Sequence, residues 1–217
     1  MFDSDQQASE FLSDWFKENK YYLLAFFIVL FGGYFLTSLW LESKDKKLMN
    51  ASVEFSKLID LIKLNNNQDI EAQIDVLINQ FPNSPYSDLS AIVRSKLNIN
   101  ENKADSIDSL NYIIKNSKQS IMIDIARLRL IRIYLDMNNV KLADEQYSLL
   151  TEFSQKTILA NLLLGDIAFL KSDYGAAIVA YRKSLDLIPD KDENMDYKEL
   201  QAFVLAKISD SVRNSKL

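Results

Sequence analysis

The chain of 217 residues contains no cysteine and no histidine. Within this chain these absences exclude thiol catalysis, disulfide bonds, zinc sites built on Cys or His, and acid-base chemistry by an imidazole. They do not select a compartment, because a domain of this size can be stable without disulfides on either side of a membrane.

Glycine and proline, the main breakers of helices, are scarce. Beyond residue 41 the only glycines are Gly165 and Gly175, and the only prolines are Pro82, Pro85 and Pro189. Apolar residues recur at helical steps along this part, and strand-type alternation is absent. The sequence therefore predicts an all-α fold.

A surplus of positive charge is also missing, since 25 basic residues face 30 acidic ones for a net charge of −5. Nucleic-acid binding would lack its electrostatic footprint, so no nucleic-acid partner is expected. The acidic cluster Asp190, Asp192 and Glu193 lacks the alternating ligands and glycine of a calcium loop. It is interpreted as a solvated linker, and neither a metal nor a cofactor is expected.

Catalysis has little support in the residues that remain. A serine with a lysine base is the one nucleophilic arrangement still open. No Ser and Lys pair stands in a recognisable catalytic context. We predict a protein that is not an enzyme, with a Ser-Lys enzyme as the minor alternative.

The chain does contain an uncharged run of 21 residues, 21–41. A helix rising about 1.5 Å per residue would span roughly 30 Å, the thickness of a hydrocarbon core. Tyr21 and Trp40 stand near its ends, where amphipathic rings settle at the lipid boundary. A cleaved signal peptide would have a shorter apolar core and a small-residue cleavage site, and a buried core helix is the other alternative. We predict a single anchor in the lipid bilayer, preceded by an acidic tail, 1–20, and followed by one domain, 42–217.

Within this anchor, Gly33 and Thr37 lie four residues apart. Two small residues at this spacing form a helix face on which another membrane helix can pack. Glycine is also common in membrane helices without such a partner. The pair is a candidate packing face.

The domain after the anchor contains a repeat of 34 residues. Asp105, Asn139 and Asp173 fall at one repeat position and are good helix N-caps. Other repeat positions hold small residues at 109, 143 and 177, large residues at 113, 147 and 181, and isoleucine at 99, 133 and 167. Alternation of small and large residues lets helix pairs stack into an array.

The last unit resembles the tetratricopeptide repeat. The matching residues are Leu164, Gly165, Asp173, Tyr174, Ala177, Tyr181 and Pro189. The middle unit has Ile131 where that family has glycine and Gln155 where it has proline. We predict a tetratricopeptide-like solenoid of helical hairpins, with a non-repetitive helical bundle as the alternative.

A solenoid of this kind presents a concave face lined mainly by the first helix of each repeat. In the register of Gly165, the candidate partner-binding residues are Leu128, Arg132, Leu135, Leu162, Asp166 and Phe169. Such a mixture of apolar and charged groups suits an extended segment or a partner helix. As alternatives, Leu128 and Leu162 are ordinary core residues and Arg132 forms a surface pair with Asp166.

The whole layout is similar to the YfgM family, the bacterial ancillary subunit of the Sec translocon. The resemblance rests on residues 15–19 of the tail, on Gly32, Gly33, Tyr34 and Trp40 of the anchor, and on about four helix pairs after it. It implies a single-pass inner-membrane protein with a cytoplasmic N-terminus and a periplasmic repeat domain. The implied partners are the SecYEG translocon, the membrane-anchored chaperone PpiD, and translocating polypeptides.

Charge near the anchor favours the opposite orientation. Lys17 and Lys20 precede the anchor, whereas Lys44, Lys46 and Lys47 follow it. Because lysine and arginine favour the cytoplasmic side, the count weakly predicts a cytoplasmic domain that would serve as a scaffold for a soluble signalling protein. Long translocated domains are little governed by such local charge, so the expectation follows the resemblance.

Overall fold

The computed structural model of the chain describes residues 3–64, 67–99, 102–189 and 195–216. Within these ranges the regular elements are all helices, which confirms the predicted all-α fold. The helices are α1 (Asp3–Leu64), α2 (Asn67–Gln80), α3 (Pro85–Asn98), α4 (Lys103–Asn116), α5 (Ser120–Asp136), α6 (Val140–Ser148), α7 (Glu152–Gln155), α8 (Ile158–Leu170), α9 (Tyr174–Asp186) and α10 (Met195–Asn214). The predicted acidic linker at Asp190, Asp192 and Glu193 lies outside the described residues.

The chain divides into two compact units, Met1–Asn50 and Ala51–Leu217. The first unit is helical throughout its described part and belongs to α1. The second unit contains the end of α1 and the helices α2 to α10. The proposed boundaries at 20 and 41 lie within α1 and correspond to no break in its helical backbone.

The second unit is built from hairpins of consecutive helices. Helix α3 packs on α4, α5 on α6 and α8 on α9, and α10 packs on the outer side of the last hairpin. Helix α8 also contacts α5 and α6, which joins neighbouring hairpins. Three apolar clusters follow one another through this unit, one for each stretch of stacked helices. Such stacking is the expected outcome of a 34-residue helical repeat.

Two of the three predicted N-caps are confirmed. The Asn139 side chain accepts a hydrogen bond from the Leu142 N–H at 3.3 Å and caps α6. Asp173 caps α9 in the same way, with the Ala176 N–H at 2.9 Å. These bonds satisfy N–H groups that have no partner within the helix.

The prediction for Asp105 is wrong. Helix α4 begins at Lys103, and Asn102 caps it by accepting the Ala104 N–H at 3.0 Å. The chain offers this capping residue three positions earlier, with no breaker in between, so the helix begins there. Asp105 consequently lies in the first turn of α4.

Residues 142–153 do not form one continuous helix, because α6 ends at Ser148 and α7 begins at Glu152. The buried carboxylate of Asp124 in α5 causes the break by accepting hydrogen bonds from both the N–H, at 3.2 Å, and the hydroxyl of Thr151. Thr151 in turn caps α7 through the Ser154 N–H at 3.3 Å. A contact across 27 residues therefore ends one helix and starts the next.

This arrangement also sets the protonation of Asp124. Burial raises the pKa of the Asp124 carboxyl, but hydrogen bonds from Thr151 and Ser154 lower it more. Arg127 lies 3.4 Å from the same carboxylate and adds to the lowering. The pKa of Asp124 therefore lies below its ordinary value, as expected where donors stabilise the charged form.

Candidate functional site

The uncharged run predicted as an anchor lies within α1. Among the described residues, α1 is the one helix long and apolar enough to cross a membrane, with a mean hydropathy of 2.0 in its best window. No part of that window is buried in protein. At its end, the Lys44 ammonium lies 3.6 Å from the centre of the Trp40 ring. An apolar surface of this length without protein cover is typical of a helix surrounded by lipid.

The candidate packing face of the anchor is open. A Cβ added at Gly33 would meet no atom within 4 Å, and Gly32 is equally open. The Thr37 hydroxyl donates to the Tyr34 carbonyl oxygen at 2.8 Å, so its polarity is satisfied within the helix. A partner helix could approach Gly33 and Thr37 closely, and their role stays a prediction.

The candidate groove residues of α5 differ in exposure. Arg132 is exposed, whereas Leu128 and Leu135 are partly buried against the main apolar cluster. All three lie on one helix at steps of four and three, as the register predicts. Of these three α5 side chains, Arg132 is thus the most accessible to a partner.

The candidate groove residues of α8 are more deeply packed. Leu162 is buried in the apolar cluster that α8 shares with α9 and α10. This agrees with the alternative that Leu162 is an ordinary core residue. Phe169 is partly buried, with its ring edge-on to that of Tyr174 at a centroid distance of 5.4 Å. Of these two, Phe169 presents the more accessible surface.

Asp166 has partners that the sequence did not indicate. Its Oδ1 accepts a hydrogen bond from the Tyr181 hydroxyl at 2.7 Å and lies 2.7 Å from the Lys207 Nζ. The ion pair of Asp166 is therefore with α10 and not with Arg132. Burial and the neighbouring Asp166 together raise the pKa of Tyr181 far above its ordinary value, so the phenol remains a donor.

Tyr181 is held in place by a close approach to Gly165. A Cβ at Gly165 would lie 2.3 Å from Cε1 of the Tyr181 ring, so only glycine fits there. In the preceding repeat, Ile131 and Tyr147 occupy the corresponding positions, and Tyr147 is only partly buried. A side chain at 131 is incompatible with the same close approach.

A cleft of about 550 Å³ lies between these two repeats. Its walls include Tyr147, Gln155, Asn161 and Leu187. The sequence signal for it was the departure from the repeat motif at Gln155, which lines the cleft. Among the described residues no group of acidic side chains is placed to hold a metal ion.

These features define a class: proteins with a helical-repeat domain and one helix suited to crossing a membrane. The sequence profile described as the tetratricopeptide repeat-like domain matches residues 13–210. The chain belongs to this tetratricopeptide repeat-like family.

Three relatives refine the assignment, and each is named an ancillary SecYEG translocon subunit. That of Aggregatibacter actinomycetemcomitans is 25% identical over 186 residues, which cover 83% of this chain and 88% of the relative. That of Buchnera aphidicola subsp. Schizaphis graminum is 28% identical over 167 residues, 76% of this chain and 83% of the relative. That of Haemophilus influenzae is 23% identical over 176 residues, 80% and 84% of the two chains.

The similarity to ancillary Sec translocon subunits that the sequence indicated is confirmed by these relatives. The relatives and the one apolar span found among the described residues fit a single-pass protein of the inner membrane. The repeat domain and the relatives' names point to a non-catalytic adaptor role. No solved structure shows a significant match to the chain.

Proposed function

We propose that this protein is a non-enzymatic adaptor tethered to the inner membrane beside the SecYEG translocon. The observation that carries the proposal is the shared name of three relatives, each aligned with this chain over more than four fifths of its own length. Tetratricopeptide-like arrays bind other proteins through their continuous surfaces, which suits an accessory subunit.

The anchor gives such an adaptor its location. Confinement beside a partner raises the effective concentration of a binding surface without adding any contact. A weak groove can then hold its ligand at the channel for long enough to act. In this proposal the repeat domain lies in the periplasm and receives a PpiD-like chaperone or an emerging polypeptide.

The groove is proposed to bind through Arg132 and Phe169. Arg132 is exposed on α5, and Phe169 is partly exposed on α8. A guanidinium and an aromatic ring are the groups that most often anchor protein interfaces. An extended peptide with an acidic residue near an apolar one matches this pair.

Recovery of translocon components from membranes solubilised in mild detergent tests the association. Wild-type protein should recover SecY, and Gly33→Leu should reduce the recovery because a large side chain blocks the candidate packing face. Gly32→Leu, at an equally open neighbouring position, is the matched control and should leave recovery close to that of the wild type. Absence of translocon components from the wild-type sample would sink the proposal.

Substitutions in the candidate groove test whether it binds the chaperone. Arg132→Glu and Phe169→Ala should lower recovery of the chaperone while leaving that of SecY unchanged. Arg182→Glu reverses the charge of an exposed arginine on α9 and serves as the control. If all three variants recover the chaperone equally and melt like the wild type, the groove is not the binding surface.

A second candidate function is supported by the lysines that flank the anchor. Three lysines after the span against two before it favour a cytoplasmic repeat domain, which would act as a scaffold for a soluble signalling protein. The two functions differ in the location of the C-terminus, which a fusion to alkaline phosphatase reports.

A further inference from the structure

Helix α10 closes the repeat domain with one face and leaves the other to solvent. Val204 and Ser211, seven residues apart, are completely buried against the preceding helices. Ala202 and Ala206, on the opposite side of the helix, are exposed. Among the described residues, the outer face of α10 is therefore a surface that no neighbouring helix covers.

The middle of this outer face carries an apolar strip, whereas Asp210, one turn beyond Ala206 on the same face, is charged and exposed. The side chains of Phe203 and Leu205 are 49% and 53% exposed, and they flank the two alanines. Terminal repeats normally present a polar outer face because no further repeat covers them. An exposed apolar strip in this position is typical of a surface that another helix covers.

Charged residues frame the strip symmetrically. Glu199 and Arg213 are each seven residues from Ala206, so all three lie on one face of α10. Arg213 pairs with Asp210 of its own helix at 2.7 Å and keeps further guanidinium donors. No ion pair is found for Glu199 among the described residues.

This symmetry specifies an antiparallel copy of the same helix. When two such helices cross at Ala206, Glu199 of each copy faces Arg213 of the other, so both pairs attract. A parallel arrangement would place like charges opposite one another at both ends. The small side chain at the crossing point allows the two backbones to approach closely.

We propose that the outer face of α10 binds the outer face of α10 in a second copy of this chain, with a two-fold axis at Ala206. A single pair of helices buries less area than the roughly 1,200 Å² of a stable complex. The dimer is consequently weak in dilute solution and forms where two copies are held in one membrane, since tethering raises their effective concentration.

Cross-linking of single cysteines tests this geometry cleanly because the chain has no cysteine of its own. In full-length protein reconstituted into liposomes, Ala206→Cys should form a disulfide-linked dimer on mild oxidation, since a residue on the axis meets its own copy. Ala104→Cys places a thiol on an equally exposed alanine of α4 and is the matched control. Equal cross-linking of the two variants would overturn the proposal.

Charge reversal then distinguishes specific pairing from chance collision. In the Ala206→Cys background, Glu199→Arg or Arg213→Glu alone should lower the cross-linked fraction by about fivefold, because two attractive pairs become repulsive. Liposomes that contain both variants together should form the mixed dimer at the wild-type level. Equal helical content and melting by circular dichroism show that each variant is folded.

The mixed sample is decisive. If the two single variants do not cross-link with each other better than each does with itself, the antiparallel pairing is wrong. The proposal would also be overturned if Ala206→Cys formed no dimer in liposomes and cross-linked only to a different protein in native membranes.

Discussion

Gly165 and Tyr181 together hold the last repeat in its observed geometry. The tyrosine ring occupies the space that a side chain at 165 would need, and its hydroxyl is fixed by Asp166 at 2.7 Å. The Lys207 side chain adds α10 to the same oxygen. One glycine thus permits a contact that connects three helices.

Gly165→Ala should destabilise the repeat domain by about 1–3 kcal/mol, because the new methyl group would overlap the ring of Tyr181, which is buried and whose hydroxyl is bonded to Asp166. Gly175→Ala is the control: its nearest neighbour would be Asp173 Oδ1 at an ordinary 3.7 Å. That variant should be neutral or stabilising by up to about 1 kcal/mol, because alanine favours the helix. Thermal unfolding followed by circular dichroism measures both, and equal melting temperatures would contradict the packing argument.

Asp88 is a buried carboxyl whose Oδ2 accepts the Ser117 hydroxyl at 2.6 Å, whereas its Oδ1 has no partner among the described residues. Burial raises the pKa of Asp88 above its ordinary value. The folded chain therefore holds this proton more tightly than the unfolded chain. The stabilisation from protonated Asp88 is complete below the unfolded pKa and is lost as pH rises through the folded pKa.

Asp88→Asn should consequently increase the free energy of unfolding at pH 7 by about 1 kcal/mol, because the amide is neutral and still accepts the Ser117 hydroxyl. Loss of a negative charge from the first turn of α3 opposes this by a few tenths of a kcal/mol. The gain should shrink on acidification, because the wild-type carboxyl then takes up its own proton in the folded chain. Urea unfolding at several pH values measures the difference, and a gain that grows on acidification would show the sign to be wrong.

At the scale of whole elements, helices α5 and α8 end in the same way. Asn138 and Ser172, 34 residues apart, have φ of 54° and 62°. After each of them the next N–H bonds back into the helix, to Tyr134 O at 2.8 Å and to Ala168 O at 2.9 Å. These are Schellman ends, in which the left-handed residue turns the chain toward the second helix of the hairpin.

Ser172→Gly should stabilise the fold by about 1 kcal/mol, because a left-handed conformation strains a serine and not a glycine. Asn138→Gly is the paired control, since asparagine already tolerates this conformation and should gain less. Chemical denaturation of both variants gives the comparison. A larger gain at 138 than at 172 would contradict this account of the turn.

Local signals in the sequence were sufficient for much of this architecture. The caps at Asn139 and Asp173 and the match of Tyr181 to the repeat motif depend on residues close in the chain. Contacts between distant residues were not predictable in this way. The bond from Thr151 to Asp124, which divides α6 from α7, joins residues that no short window contains.

The candidate site shows the same limit. The 34-residue repeat placed Arg132 and Asp166 at equivalent positions, and this register suggested that they pair. Lys207 is 41 residues beyond Asp166, and only the fold of α10 onto α9 brings it to 2.7 Å. Charge partners depend on the direction in which each hairpin turns, which residue spacing does not encode.

At the scale of the whole molecule, the charge of the two flanks of the span influences which side of the membrane the repeat domain occupies. The span is flanked by Lys17 and Lys20 on one side and by Lys44, Lys46 and Lys47 on the other. Lysine and arginine oppose export of the flank that carries them, but long domains are exported largely regardless of such charge. A difference of one lysine is therefore a weak force on the orientation.

In the proposed orientation, alkaline phosphatase fused to the C-terminus should be active, because that enzyme matures only after export. Replacing Lys44, Lys46 and Lys47 by glutamine should leave the activity unchanged or slightly higher, since these lysines oppose the export that occurs. Replacing Lys17 and Lys20 should lower it, since they hold the N-terminus in the cytoplasm. A fluorescent protein fused at the same place should give the inverse pattern. An inactive phosphatase together with a fluorescent fusion in the wild type would instead place the repeat domain in the cytoplasm, and the scaffold function would then replace the translocon adaptor.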